Sequence, residues 1–347
     1  MRYVLSFVLV VFLISCGEVK KDMSFTSVDI ELLVEDTMSV RAIDLIGNSL
    51  AFAANKGIYG SINLTNNKVL LGKQRHLDSL PEFRAVGHTS NDFFMLSAGT
   101  PALLYKTGSS GKMQLVYEEV GEKVFYDSML FWNDTEGIAV GDAIGNCLSI
   151  IITRDGGNTW RKMACDGLPE AIPGEGAFAA SNTNITSVGN YTWVATSFGR
   201  VYFSEDKGRH WVIQETPITA EKHTQGIFSI NFYNDDLGVI IGGDFTDSQT
   251  NKGNKAFTQD GGNTWGLVAD GYPPGYMSCI QFVPNSRGKQ MVAVGYTGIN
   301  YSKDSGKTWQ NLSQEGFYTI RFQNDSIAFA AGKNRIAKLH FIKGKPF

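Results

Sequence analysis

Few residues in this 347-residue chain have both a type and a position suited to chemistry. Asp142 and Asp244 each end an apolar run closed by glycine, GIAVGD and GVIIGGD. Two carboxylates held at a suitable separation can cleave a glycosidic bond as acid and base or nucleophile, yet neither has an evident acid–base partner nearby. Arg41, Arg84 and Asp127 occupy equivalent places early in successive segments, and Lys56 lies close to the first. They form a small basic sector, or Arg84 and Asp127 neutralise each other. Five His (76, 88, 210, 223 and 340) show no ligand spacing, so no metal site is implied. Ser305-Gly306-Lys307-Thr308 mimics the end of a phosphate loop, but Tyr301 stands where its first glycine belongs and a strand follows where a helix is needed. No dinucleotide fingerprint and no nucleophile elbow occur, and no cofactor is expected.

The elements that position these residues are set by a repeat. The octapeptides TRDGGNTW (153–160), SEDKGRHW (204–211), TQDGGNTW (258–265) and SKDSGKTW (302–309) share Ser/Thr, Asp, Gly and Trp at fixed places. Their aspartates, Asp155, Asp206, Asp260 and Asp304, are 51, 54 and 44 residues apart, a period typical of propellers. In each, Asp accepts backbone N–H bonds inside a tight turn and Gly takes a φ that a Cβ forbids. The following Trp160, Trp211, Trp265 and Trp309 then open a strand and cover apolar area between sheets. This frame resembles the Asp-box, or BNR repeat, of sialidases and related propellers. By that resemblance its aspartates are structural and sit away from the binding face.

Around each octapeptide run an aromatic-led strand, a polar turn, a Val/Ile/Ala strand ending in Gly, and a third strand. Counting them along the chain yields seven units, starting near Val40, Phe83, Phe125, Phe178, Phe228, Met277 and Phe317. The last unit lacks a fourth strand, which VDIELLV (28–34) can supply and so hide both open edges. The expectation is an all-β, seven-bladed propeller closed by an N-terminal strand, six or eight blades being the alternatives. Propellers bind at the channel mouth. Aligned units place Lys56, Asp142, Phe198, Asp244, Tyr296 and Lys333 there after second strands, with Arg41, Arg84 and Asp127 after first-strand starts.

Residues Tyr3 to Ile14 are an apolar run behind Arg2, too short to span a bilayer and of signal-peptide character. The run ends in Leu13-Ile14-Ser15-Cys16, which resembles the bacterial lipobox. The resemblance implies diacylglyceryl modification of Cys16, acylation including palmitate, and cleavage before it. The absence of Asp after Cys16 favours the outer membrane. The organisation is then a leader over 1–15, a tether over 16–27 and one propeller over 28–347. Cys147 and Cys165 flank the turn at Asp155, close enough across an antiparallel hairpin for a disulfide, and Cys279 falls in an apolar strand.

The composition, 43% hydrophobic and 19% charged with net charge −3, suits a folded globular chain and argues against a nucleic-acid binder. The overall pattern resembles the photosystem II stability and assembly factor-like proteins and related BNR lipoproteins. That implies a non-catalytic binding or scaffolding module for a protein or a glycan, held on the bacterial envelope by its lipid. A sialidase-type hydrolase or lyase is the alternative. The Arg-Ile-Pro that introduces such enzymes is missing, and Val40-Arg41-Ala42 and Phe83-Arg84-Ala85 depart from it. A redox role, attached to some relatives, is the second alternative and has no cofactor motif here.

Overall fold

The computed structural model describes residues 24–108 and 111–344; Cys16, the apolar leader and most of the expected tether lie outside them. Strands begin at Phe25, slightly before the expected propeller boundary. Five sheets are four-stranded antiparallel meanders, over 83–119, 126–162, 185–215, 225–267 and 279–313. The sixth has six strands: Thr319–Phe322, Ile327–Lys343, Phe25–Ile46, Ser49–Ala54, Ile58–Asn63 and Val69–Lys73. First strands of successive sheets pack side by side in a closed ring, and the molecule is an all-β propeller.

The sequence count of seven separate units is corrected to six hydrogen-bonded sheets. The units at the two chain ends are joined because Phe25–Ile46 runs without a break through both. Its first half pairs with the C-terminal strand (Val28 with Phe341, Leu32 with Ala337), and its second half with Ser49–Ala54. The C-terminal strand itself doubles back, since the Phe341 amide bonds the Ser326 carbonyl at 2.8 Å and Asn334 takes φ +62° at the tip.

Burial follows position within each sheet. Second strands such as Ser49–Ala54, Gly238–Asp244 and Met291–Gly295 are buried almost throughout, because both faces are covered by neighbouring sheets and both edges are paired. They read as unbroken apolar runs for that reason. Each Val or Ile so buried contributes roughly 1.5–3 kcal/mol. Fourth strands, such as Arg161–Lys162 and Gln310–Ser313, face water and are polar. Aromatic rings lock the sheets together: Trp160 stands edge-on to Phe94 and Phe131 at 6.3 and 5.7 Å, and Trp193 stacks on Phe232 at 3.7 Å.

The four octapeptides make one turn repeatedly. In the first, the Asp155 carboxylate accepts the Thr159 amide at 2.9 Å and hydroxyl at 2.7 Å, while the Thr153 hydroxyl donates to Asp155 and accepts from the Gly157 amide. Asp260 and Asp304 do the same with their own neighbours, and Asp206 does so with the His210 amide and ring nitrogen in place of a threonine. Two successive residues are left-handed, Gly156 and Gly157 at φ +71° and +76° and Ser305 and Gly306 at +59° and +81°. The second is always glycine, and a Cβ on Gly157 would sit 2.2 Å from the Phe94 ring.

The expected first strand of the fourth unit is also corrected. Phe178 to Asn184 form no strand, which begins only at Ile185. Instead 179–184 fill the central channel. The Thr319 hydroxyl donates to the Ser181 carbonyl at 3.0 Å, and Ser181 donates to the Ser278 carbonyl at 2.7 Å. Asn182 donates to Val86 and accepts from the Met129 amide, both at 2.9 Å, and Thr183 donates to the Ser229 hydroxyl at 2.8 Å. Short polar side chains reach these inward-facing backbone groups around the ring and satisfy what a dry channel would leave unpaired.

Substituting Gly157→Ala places a Cβ in a left-handed residue and into the Phe94 ring. The expected cost is roughly 2–4 kcal/mol, read as a lowered thermal midpoint; an unchanged midpoint would show that the turn does not brace the sheet interface.

Candidate functional site

On one side of the plug, the aromatic residues that lead several units gather into a cup of about 440 Å³. Phe178 stacks face to face on Phe228 at 3.7 Å, and Phe245 stands edge-on to both. Tyr276 packs edge-on against Phe228 at 4.8 Å and meets Tyr296 at 5.3 Å. Tyr296 is 47% exposed at the rim, its hydroxyl bonded to the Phe245 carbonyl at 3.1 Å. Two arginines complete the wall. Arg41 lies over the Tyr318 ring at 4.2 Å and reaches the Ala180 carbonyl at 3.5 Å; Arg84 donates to the Ala179 carbonyl at 3.2 Å. The floor is therefore the plug itself.

Among the described residues no carboxylate forms an ion pair with Arg41 or Arg84. The Arg41 Nε is buried without a partner. Burial, then the Arg41 charge, draws the Arg84 pKa down, yet a guanidinium stays charged at any physiological pH. Two cations held by neutral carbonyls beside aromatic faces form a receptor for an anion attached to an apolar group.

Asp127 and Asp142 form the other electrostatic feature, just beyond the cup beside Phe125 and Ala177. Asp127 is fully buried, and neither of its oxygens meets a donor. Burial, and then the charge of Asp142, raise its pKa well above the ordinary carboxylate range. Burial also pushes Asp142 up to about 6, against the Ala177 amide, which donates to it at 3.2 Å. Among the described residues Arg84 and Asp127 form no ion pair, so the expected mutual neutralisation is not made, and the charge that acts most on Asp127 is that of Asp142. Gly176 is required at this point, since a Cβ there would overlap an Asp142 oxygen at 1.8 Å.

The other sequence candidates scatter. Lys56 is exposed and turned to the Thr37 carbonyl at 3.3 Å. Phe198 is half-buried outside the cup. Asp244 is buried and consumed by the Thr246 amide and hydroxyl, at 2.9 and 2.6 Å; against burial these hold it down at about 2. No hydrogen bond joins it to Asp142 among the described residues. Lys333 lines an adjoining cavity of about 400 Å³ that shares Tyr296 and Tyr318 with the cup. Cys147 and Cys165 are bonded, with Cα atoms 5.5 Å apart. The hairpin ladder ends at Lys162, and the bridge forms because the chain turns back in a short 3-10 segment at Cys165–Gly167. Phe178, Phe228, Phe245 and Tyr318 were missed as site residues. Three of them lead units or follow a unit's start, a position read as packing alone; nothing in the pattern shows which leading aromatics face the mouth.

No protein-family model matches this chain, and no curated protein matches it. Solved structures do. YCF48 bound to a D1 peptide is 14% identical with a TM-score of 0.62, over 94% of this chain and 99% of that one. YCF48 from Cyanidioschyzon merolae is 13% identical at 0.62, over 91% and 98%. The WD40 repeats of RRP9 are 10% identical at 0.63, over 92% and 100%. At such identities the likeness shows the fold, a β-propeller.

The raised carboxyls have a measurable consequence. A carboxyl raised in the folded state stabilises it at low pH and loses that contribution as pH rises from about 4 through about 6. In Asp127→Asn the side chain no longer titrates. Its thermal midpoint relative to the unmodified protein is expected to rise by roughly 2–5 °C between pH 4.5 and 7.5; a difference independent of pH would refute a raised carboxyl at this position.

Proposed function

We propose that this protein is a non-catalytic binding module that holds a segment of a partner protein in the arginine–aromatic cup. The observation that carries this reading is the cup's chemistry: Arg41 and Arg84, without a carboxylate ion-pair partner among the described residues, set beside a wall of Phe and Tyr rings. A peptide offering an anionic group and an apolar side chain satisfies both at once. The fold likeness to a propeller whose structure holds a peptide supports the same mode of use. The likeness of the four octapeptide turns to Asp-boxes, and of the Leu13–Cys16 segment to a lipobox, supports a BNR-type lipoprotein anchored through Cys16 on the bacterial envelope, at the outer membrane.

A sialidase-like hydrolase fits less well. Asp127 is fully buried beside the cup, closed to water and to a sugar, whereas a glycosidase acid–base pair must reach the scissile bond or the attacking water. Two arginines, not three, line the cup.

The test is cross-linking and co-purification of the full-length protein from its native membrane, with partners identified by mass spectrometry. One stoichiometric partner is expected. Its recovery should drop at least tenfold in the rim variant Phe245→Ala/Tyr296→Ala and in Arg41→Gln, with thermal unfolding as the check on fold. Recovery of a partner untouched by these changes would move the site elsewhere, and absence of any partner where other envelope complexes survive would refute the scaffold reading.

A further inference from the structure

The plug has a second side. Where 179–180 floor the cup, Asn182 and Thr183 floor a larger cavity of about 900 Å³ at the opposite mouth of the ring. Its lining differs in kind. On one wall, Asn231 and Gln281 spend their side-chain oxygens on the amides of the next unit, Asn231 on Phe282 at 2.9 Å and Gln281 on Phe322 at 3.3 Å. With those oxygens engaged, both amide nitrogens remain as donors on the cavity wall, next to the guanidinium of Arg321. Arg321 is steadied by the Thr319 hydroxyl at 3.0 Å and the Ile320 carbonyl at 2.8 Å, with no carboxylate on it among the described residues. The facing wall carries acceptors. Asp44 meets His88 at 2.7 Å, with both side chains about a third exposed to the cavity, at 27% and 34%. Trp132 adds an aromatic surface to that wall, one ring face lying under the Arg154 guanidinium at 5.2 Å and its indole N–H bonded away to Thr192 at 2.8 Å.

Donors on one side, acceptors on the other and a ring beside them match a molecule presenting hydroxyls in several directions. A phosphate site would offer clustered cations; this cavity has one arginine. Its charges balance in sign: Asp44 and the rim Asp134 against Arg321 and a His88 whose charged form Asp44 favours. We propose that this second mouth is a binding site for a neutral saccharide. Hydroxyls donate to Asp44 and accept from Asn231, Gln281 and Arg321, and the sugar lies against Trp132. The inference does not depend on the cup. The two sites share only the plug, so the protein is able to hold a glycan on one face while a protein segment occupies the other.

The test is a printed array of neutral and uronic-acid oligosaccharides probed with the whole protein, followed by titration of the strongest neutral glycan while monitoring tryptophan fluorescence. Saturable binding of a neutral glycan is expected. Ser187→Trp, which fills the cavity from its lining, and Asp44→Asn, which removes an acceptor charge, should each weaken that binding at least tenfold. Unfolding midpoints in the same variants establish that the fold is kept. Asn231 and Gln281 are left alone because their oxygens hold backbone amides. No saturable binding across the array would overturn the proposal. Binding confined to the uronic-acid members would overturn the neutral assignment. Neutral binding undiminished in both variants would overturn the location.

Discussion

The pairing of residues 25–35 with 335–343 is the contact on which the ring depends. A propeller is a circle of sheets, and each sheet is stable only when both faces are covered, so a gap anywhere would expose two apolar faces and two strand edges at once. Here the gap is closed by strands from opposite ends of the chain, sealed by Phe25 stacked on Phe341 at 4.7 Å and against Tyr301 at 4.8 Å. The Thr26 hydroxyl reaches the Ile342 carbonyl across 316 residues of sequence. The entropic cost of closing so long a loop grows only slowly with its length, while the ladder and the buried rings come as one cooperative unit. Because Phe25–Ile46 continues without interruption into the next ladder, the closing contact and the first repeat form a single sheet.

A closed ring of inward-facing strands has an axis to fill. Here the chain fills it with its own backbone, the stretch 179–184, whose Ser, Asn and Thr side chains bond outward to strands around the circle. This converts a through-channel into two blind mouths with different floors. Alanines at one side leave two carbonyls for Arg41 and Arg84, and Asn182 and Thr183 at the other leave a polar base. The same segment thus braces the sheets and gives each mouth its chemistry, and substitutions in it couple stability to both.

The buried carboxyl pair shows how the fold handles charge near this axis. Asp127 gains little as an anion, because burial and the neighbouring Asp142 charge both oppose ionisation, while Asp142 accepts from the Ala177 amide. The pair steadies the entry of the plug into the channel. That placement is consistent with a structural use of two carboxylates, and among the described residues no carboxylate forms an ion pair with the arginines of the cup, which bond the Ala179 and Ala180 carbonyls.

Much of the architecture was legible from local rules. The octapeptides announced their turns because Asp, Gly and Ser/Thr act within five or six residues of one another, and the buried second strands were legible as apolar runs for equally local reasons. The cysteine pair followed from hairpin proximity. The N-terminal strand was assigned by elimination, from a unit one strand short. What the tertiary structure alone decided is where side chains from different units meet. Arg41, Arg84 and Tyr296 share a cup while Lys56, Phe198 and Asp244 do not, because Lys56 is turned to the Thr37 carbonyl and Asp244 is bonded into its own turn at Thr246. Phe178 looked like the start of a strand, and the chain after it became a plug, because hydrogen bonds to strands far away in sequence outweighed its strand pattern. Local spacing therefore determined the repeat and its turns, whereas the number of sheets, the plug and both mouths were set by contacts between residues up to hundreds of positions apart, which no local pattern encodes.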